Sequence, residues 1–317
     1  MNFINNYVDV SIILCCHRID NYLYKSIDSV LKQTYKEFEL IILFDNPDKQ
    51  KFQELQSNLK NYKNFNRILF FQNNRNYGLT RSLNKAIKLS KGKYIMRQDS
   101  DDISDKNRLL YLINHLKKYP NKNLAFSNVI IIDENDNFVR KKFNYILKTN
   151  FFLSYNYKNT ISHPSIIFTR SIYEIVGGYD EKFLYSQDYD FIHKIFKDDI
   201  NHITKVNKYL YSLRYSKSSL SSLNGDLQRR NSIVIIFKNN YSYLNEKFKK
   251  IEKIEEFYEY ISNSLKDEFQ KAIYFGYNYD KNIPIINFIN IKFIFYLTLL
   301  YSFHPNLFIN KLKKLIS

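Results

Sequence analysis

Short apolar runs that alternate with amphipathic stretches constrain this chain more than any other feature. Residues 10–14 and 38–44 are near-continuous apolar runs rich in β-branched side chains, the pattern of strands buried on both faces of a parallel sheet. Between them, Asp20 is placed to cap a helix whose Leu23, Ile27, Val30 and Leu31 fall at i, i+4, i+7 and i+8, one stripe facing the sheet. Asp45, Asn46 and Pro47 close the second run as a turn. The pattern then repeats with a strand at 68–71, a helix carrying Leu79, Leu83, Ala86 and Ile87 between Gly78 and Gly92, and a strand at 94–96. Such βαβ repetition predicts an α/β fold with a mostly parallel sheet flanked by helices.

The strand at 94–96 runs into Gln98, Asp99, Ser100, Asp101 and Asp102. Ligands of open α/β sheets bind beyond the carboxyl ends of strands, near a switch in strand order. Three carboxylates within four residues repel one another unless a cation or many donors offset them, and hard divalent ions such as Mg2+ or Mn2+ favour carboxylate oxygens; a solvated acidic turn is the alternative. Further along, the stripe Leu109, Leu112, Ile113 and Leu116 predicts a helix over 105–119, and 129–132 with the turn 133–137 a hairpin. A strand is expected at 165–168, edge strands at 201–206 and 209–214, and a helix from Gln187 capped by Ser186. Asp188 and Asp190 sit in its first turn, where the helix dipole favours an ionised carboxylate able to act as a general base. Ordinary first-turn enrichment of Asp explains the pair equally.

Composition limits the remaining choices. The chain is 44% hydrophobic and 17% aromatic, too apolar for intrinsic disorder. Its six glycines are few against an average of roughly 7%, and four of them, Gly78, Gly92, Gly177 and Gly178, fall at turns where positive φ or close backbone approach is needed. Cys15 and Cys16 are adjacent and offer no disulfide framework, the first nine residues do not read as a signal peptide, and the expected location is cytoplasmic. The net charge of +17, with Lys281, Lys292, Lys311, Lys313 and Lys314 following the last acid, Asp280, points to a basic tail. The apolar stretch 283–303 within it is interrupted by Asn287, Asn290 and Lys292 and reads as membrane-surface or packed chain, not a span. No glycine-rich dinucleotide or triphosphate loop follows any strand, which excludes Rossmann oxidoreductases and P-loop kinases.

In order, "VSIILCCHR", "FELIILFDN", "NYGLTRSLNKAI", "GKYIMRQDSDD", "HPSIIFTRSIYEIVGGYDEKF" and "SQDYDFIHKI" resemble the blocks of family 2 inverting glycosyltransferases with the GT-A fold, of the bacterial cell-surface glycan type. The resemblance covers about residues 8–222 and implies a GT-A domain at 1–222 with a helical C-terminal region at 223–317. It implies a nucleotide-sugar donor, a UDP-sugar, held by Cys15, His17, Asp45, Arg81, Asn84, Asp99, Asp102, His163 and Arg214, with Mn2+ or Mg2+ on Asp101 and Asp188 as catalytic base. The segment 143–162, rich in Asn, Tyr and Phe, is the candidate acceptor loop because aromatic rings suit sugar faces and polyprenyl chains, with an ordinary surface loop as the alternative. With the basic tail it points to a glycan or lipid-linked saccharide acceptor at the inner membrane face; an anionic membrane surface is a further expected partner and nucleic acid is not. Phe44, Cys15, His17, Gln187 and Ser216 depart from the family pattern at the base, beside the catalytic acid and at a position that often carries a metal-reaching His. A sugar nucleotidyltransferase and a non-catalytic glycan- or nucleic-acid-binding protein are the competing readings.

Overall fold

The computed structural model describes residues 8–145, 160–215, 225–240, 242–261 and 263. The segment 146–159, Ser216 and the basic tail with its apolar stretch 283–303 lie outside the described residues. By internal packing the chain divides into two units, Met1–Ser242 and Tyr243–Ser317.

In the first unit, β1 (Val10–Cys16), β2 (Phe38–Phe44), β3 (Ile68–Gln72) and β4 (Tyr94–Gln98) are the expected strands, joined by helices α1 (Asn21–Leu31), α2 (Lys49–Leu59) and α3 (Leu79–Leu89). All four strands run parallel in the order β3, β2, β1, β4. The chain winds outwards from β1 to β3 and then returns to the other side of β1, which makes the β1–β4 junction the switch point. Both β1 and β2 are buried along their whole length, as unbroken apolar runs require. The stripe Leu23, Ile27, Val30 and Leu31 is buried against them, and Asp20 caps α1 by accepting the Leu23 amide at 3.0 Å.

Beyond β4 the sheet becomes mixed. A two-residue strand β5 (Ile103–Ser104), helix α4 (Arg108–Lys118), the hairpin β6 (Leu124–Ile132) and β7 (Phe138–Lys142), strand β8 (Ile166–Thr169), helices α5 (Arg170–Ile175) and α6 (Gln187–Asp198), and strand β9 (Ile203–Arg214) follow. Among the described residues, nine strands form one sheet with path β3-β2-β1-β4-β8-β6-β9-β5 and β7 added beside β6. The two edge strands expected at 201–206 and 209–214 are one strand between β6 and β5, continuous through two irregularities in its pairing with β6. Ser186 precedes α6 but does not cap it: its φ is +65°, and its hydroxyl donates to the Gln228 carbonyl at 3.3 Å. Helix α7 (Gly225–Asn240) belongs to this first unit, while α8 (Ser242–Lys250) leads into the second, where Phe248 and Phe257 pack ring against ring.

Glycine use follows backbone need. Gly78 enters α3 at φ +83°, and a Cβ on Gly92 would lie 2.5 Å from the Ser11 backbone nitrogen. That contact lets the turn before β4 lie directly on β1.

Candidate active site

Because Leu14 pairs with Gln98, the segment after β1 and the acidic segment after β4 emerge side by side at the switch point. Asp45 joins them from β2 through its amide, which donates to the Cys16 carbonyl at 2.7 Å. The Asp45 carboxylate is buried and accepts from Asn73 Nδ2 at 2.7 Å, the Tyr77 amide at 2.9 Å and the Gly78 amide at 2.8 Å. It therefore shapes the loop that leads into α3. Cys15 is buried, which pushes its thiol up to about 12, so it is an apolar wall and not a thiolate. His17 is exposed at the rim.

The acids after β4 separate into three environments. Asp99 is partly buried and ion-paired with the fully buried Arg97. Asp102 is buried, and its Oδ1 accepts the Arg214 amide at 2.7 Å; burial, then Asp101 and Asp99, push it well above the usual carboxylate range. Asp101 is reached by solvent, yet its carboxyl rises to about 6 because dense protein lies on its other side and Asp99 adds repulsion. Among the described residues its side chain accepts no hydrogen bond from another residue, and no group of three His, Cys, Asp or Glu side chains is arranged to hold a metal. One unpartnered carboxylate fits a divalent ion that takes its other oxygens from a diphosphate and water. Arg214 is committed elsewhere: its Nε donates to the Asp101 carbonyl at 2.8 Å, Nη1 to the Asp133 carbonyl at 2.8 Å and Nη2 to Asp136 at 2.5 Å, and the guanidinium stacks 4.3 Å over Tyr22. It clamps the acidic segment to the β6–β7 hairpin.

Residues that sequence reasoning missed form the floor of this loop. Arg108 is fully buried, stacks 4.5 Å over Tyr211, and donates to Gln98 Oε1 at 3.1 Å, Ser104 Oγ at 2.8 Å and the Arg97 carbonyl at 2.8 Å. Burial lowers its guanidinium to about 10. Gln98 Nε2 in turn donates to the Asp102 carbonyl at 3.1 Å, and the Tyr211 hydroxyl accepts the Asp99 amide at 3.1 Å. The signal was present: Arg108 falls at i, i+4 and i+8 with Leu112 and Leu116, an arginine on an apolar stripe.

The other wall comes from α3, the segment after α5 and α6. Asn84 grips the backbone of Tyr179, donating to its carbonyl at 2.9 Å and accepting its amide at 3.2 Å, and accepts the Tyr173 hydroxyl at 2.6 Å. Arg81 pairs with Glu181 at 3.3 Å on the exposed surface. His163 is buried and its Nε2 lies 2.7 Å from the Tyr179 hydroxyl; burial and Arg97 hold the imidazole far below its usual value, hence neutral. Burial raises the Tyr179 phenol well above its usual value, against the pull of Arg97, and the charges of Asp188 and Asp99 both contribute. One buried tyrosine thus feels the acid after β4 and the acid at the start of α6. The pair Asp188 and Asp190 divides by depth: Asp190 is fully buried against Lys238 at 3.0 Å and Lys194 at 3.3 Å, while Asp188 is half-buried.

A family model described as "Glycosyl transferase family 2" matches residues 11–176, more than half of the 317-residue chain. The chain belongs to this family. An uncharacterized glycosyltransferase of Methanocaldococcus jannaschii is 38% identical to this family 2 chain over 180 residues, 54% of this chain and 59% of the relative. The O-antigen biosynthesis glycosyltransferase WbnJ of Escherichia coli is 32% identical over 57% of this chain and 69% of its own. The chain spans only 36% of a bifunctional glycosyltransferase of Dictyostelium discoideum, with 32% identity. Among solved structures, S. aureus TarS 1-349 in complex with UDP-GlcNAc superposes with a TM-score of 0.55 at 18% identity, covering 72% of this chain and 66% of that one. At that identity the likeness establishes the shared GT-A fold.

Proposed function

We propose that this chain transfers a sugar from a UDP-sugar to a hydroxyl of a glycan or lipid-linked saccharide, with inversion at the anomeric carbon. The observation that supports this reading most is the acidic cluster at the switch point, where Asp101 alone has a carboxylate that accepts no hydrogen bond from another described residue; the half-buried Asp188 in the first turn of α6 is the proposed second acid. TarS bound to UDP-GlcNAc and WbnJ named for O-antigen synthesis support the donor and acceptor classes.

In this mechanism the β1 and β4 ends receive the nucleotide, with Cys15 as an apolar wall and Asp45 holding the loop into α3. Asp101 anchors Mn2+ or Mg2+, which when bound supplies positive charge against the leaving diphosphate. Asp188, in the first helical turn where the dipole favours a carboxylate, accepts the proton of the acceptor hydroxyl as that oxygen attacks the anomeric carbon. Asn84 and His163 hold Tyr179 in place.

Asp188→Asn should lower turnover by about 10²- to 10⁴-fold while leaving UDP-sugar affinity in calorimetry within twofold or so of the parent. Unchanged turnover would remove Asp188 from the role. Asp101→Ala should abolish the manganese-dependent part of donor binding, and its persistence would place the cation elsewhere.

A further inference from the structure

Among the described residues, the β6–β7 hairpin ends in a strand that pairs on one side only. β7 reads Phe138, Val139, Arg140, Lys141, Lys142, and it pairs with β6 through Val129–Ile132 only. Phe138 is 62% exposed, Val139 51% and Phe143 63%. Arg140 and Lys141 are exposed as well. Val139 sits at the irregularity in the pairing between Ile131 and Ile132, and past it alternation places Lys141 and Phe143 on one face of the strand. There they meet side chains of β9 across β6: Phe143 lies edge-on to Tyr209 at 5.5 Å, Lys141 sits 5.2 Å over the Tyr209 ring, and Lys205 sits 5.9 Å over the Phe143 ring. Lys208, also on β9, sits 4.7 Å over the Tyr111 ring of α4. The result is a surface of cations held against aromatic rings, with an aliphatic side chain and a second phenylalanine at the same edge.

We propose that this edge of the hairpin docks on an anionic lipid surface. Lipid interfaces favour this mixture, because aromatic and aliphatic side chains enter the headgroup layer while Lys and Arg remain at its charged boundary. Charge decides against a second copy of the chain. Edge-to-edge pairing of two β7 strands would set Arg140 and Lys141 against the same cations. The exposed Val139 offers nothing to a nucleobase but fits an acyl boundary. The surface extends the acceptor proposed above, since a lipid-linked saccharide is presented at such an interface. It is carried by β7 and β9, not by the acids of the active site.

The test is co-sedimentation of the full chain with vesicles of phosphatidylcholine alone and of phosphatidylcholine mixed with phosphatidylglycerol. The wild-type chain is expected to pellet with the mixed vesicles only, and less as salt rises. Replacing Arg140, Lys141 and Lys205 together by Gln should reduce its partition by about 100-fold, the effect of roughly 1 kcal/mol per surface cation. Phe138→Ser with Val139→Ser should weaken binding at high salt as well as low. Circular dichroism and hydrolysis of free UDP-sugar, neither of which draws on these positions, should match the parent. Failure of the donor hydrolysis in the parent would strike the catalytic reading and leave the docking result standing. The proposal is overturned if the triple variant pellets like the parent, if neither vesicle binds the parent, or if the same substitutions abolish RNA binding or self-association instead.

Discussion

Asp101 shows how one residue can be unfavourable for the fold and useful to the site. Its carboxyl ordinarily titrates near 3.8 and here near 6, so between those values the folded chain holds a proton that the unfolded chain has released. Stability therefore falls as pH rises through this window, and the cost is fully present at neutral pH. Solvent contact at this position limits that cost to about 1 kcal/mol. Asp101→Asn should raise the melting temperature by about 2–4 °C at neutral pH and leave it unchanged at a pH below both values, measured by thermal denaturation. The same variant should lose metal-dependent donor binding, and in the parent that binding should weaken as pH drops below about 6. The acid cluster was legible in the sequence. Its division into an ion-paired Asp99, an open Asp101 and a buried Asp102 was not, because Arg97 and Arg214 reach these acids only once β4 and β9 are assembled.

At the scale of elements, strands and amphipathic helices were readable wherever one face carried all the apolar residues. Helix α2 escaped because only Leu55 and Leu59 of its eleven residues are buried. The continuity of β9 was hidden because its burial does not alternate, a consequence of its irregular pairing with β6. The junction of α6 and α7 is a polar one: Lys238 lies 2.8 Å from Asp180 and 3.0 Å from Asp190, 4.7 Å over the Phe183 ring, and is almost fully buried. Those two carboxylates hold its ammonium above its usual value in spite of burial. Lys238→Met should leave the buried Asp190 with Lys194 as its remaining cation and cost up to about 3–5 kcal/mol, read by urea denaturation. Adding Asp190→Asn should restore part of the loss, and no restoration would mean that shape, not charge, holds α7.

For the molecule as a whole, the proposed nucleotide site draws on segments that are distant in the chain. The segments after β1, β2 and β4 share one mouth of the sheet, and α3 holds the 179–183 segment through Thr80 and Asn84, so on this reading UDP should stabilise the whole first unit and not one element of it. A hundredfold excess over its Kd adds about 2.7 kcal/mol, or roughly 5–10 °C in melting temperature. ADP at the same concentration should give a smaller shift, and equal shifts would remove the uracil preference from the proposal.

By itself the sequence determined the parallel half of the sheet, its helices and the acids at its mouth, since burial on one or both faces prints a period of two or 3.6 residues along the chain. Only the tertiary structure decided which charged groups are buried against partners. Asp190 and Asp102 look like Asp188 and Asp101 in sequence, and they are set apart by cations and amides brought from α7 and β9. Periodicity records which face of an element is apolar, whereas the partner of a buried charge depends on contacts between elements far apart in the chain.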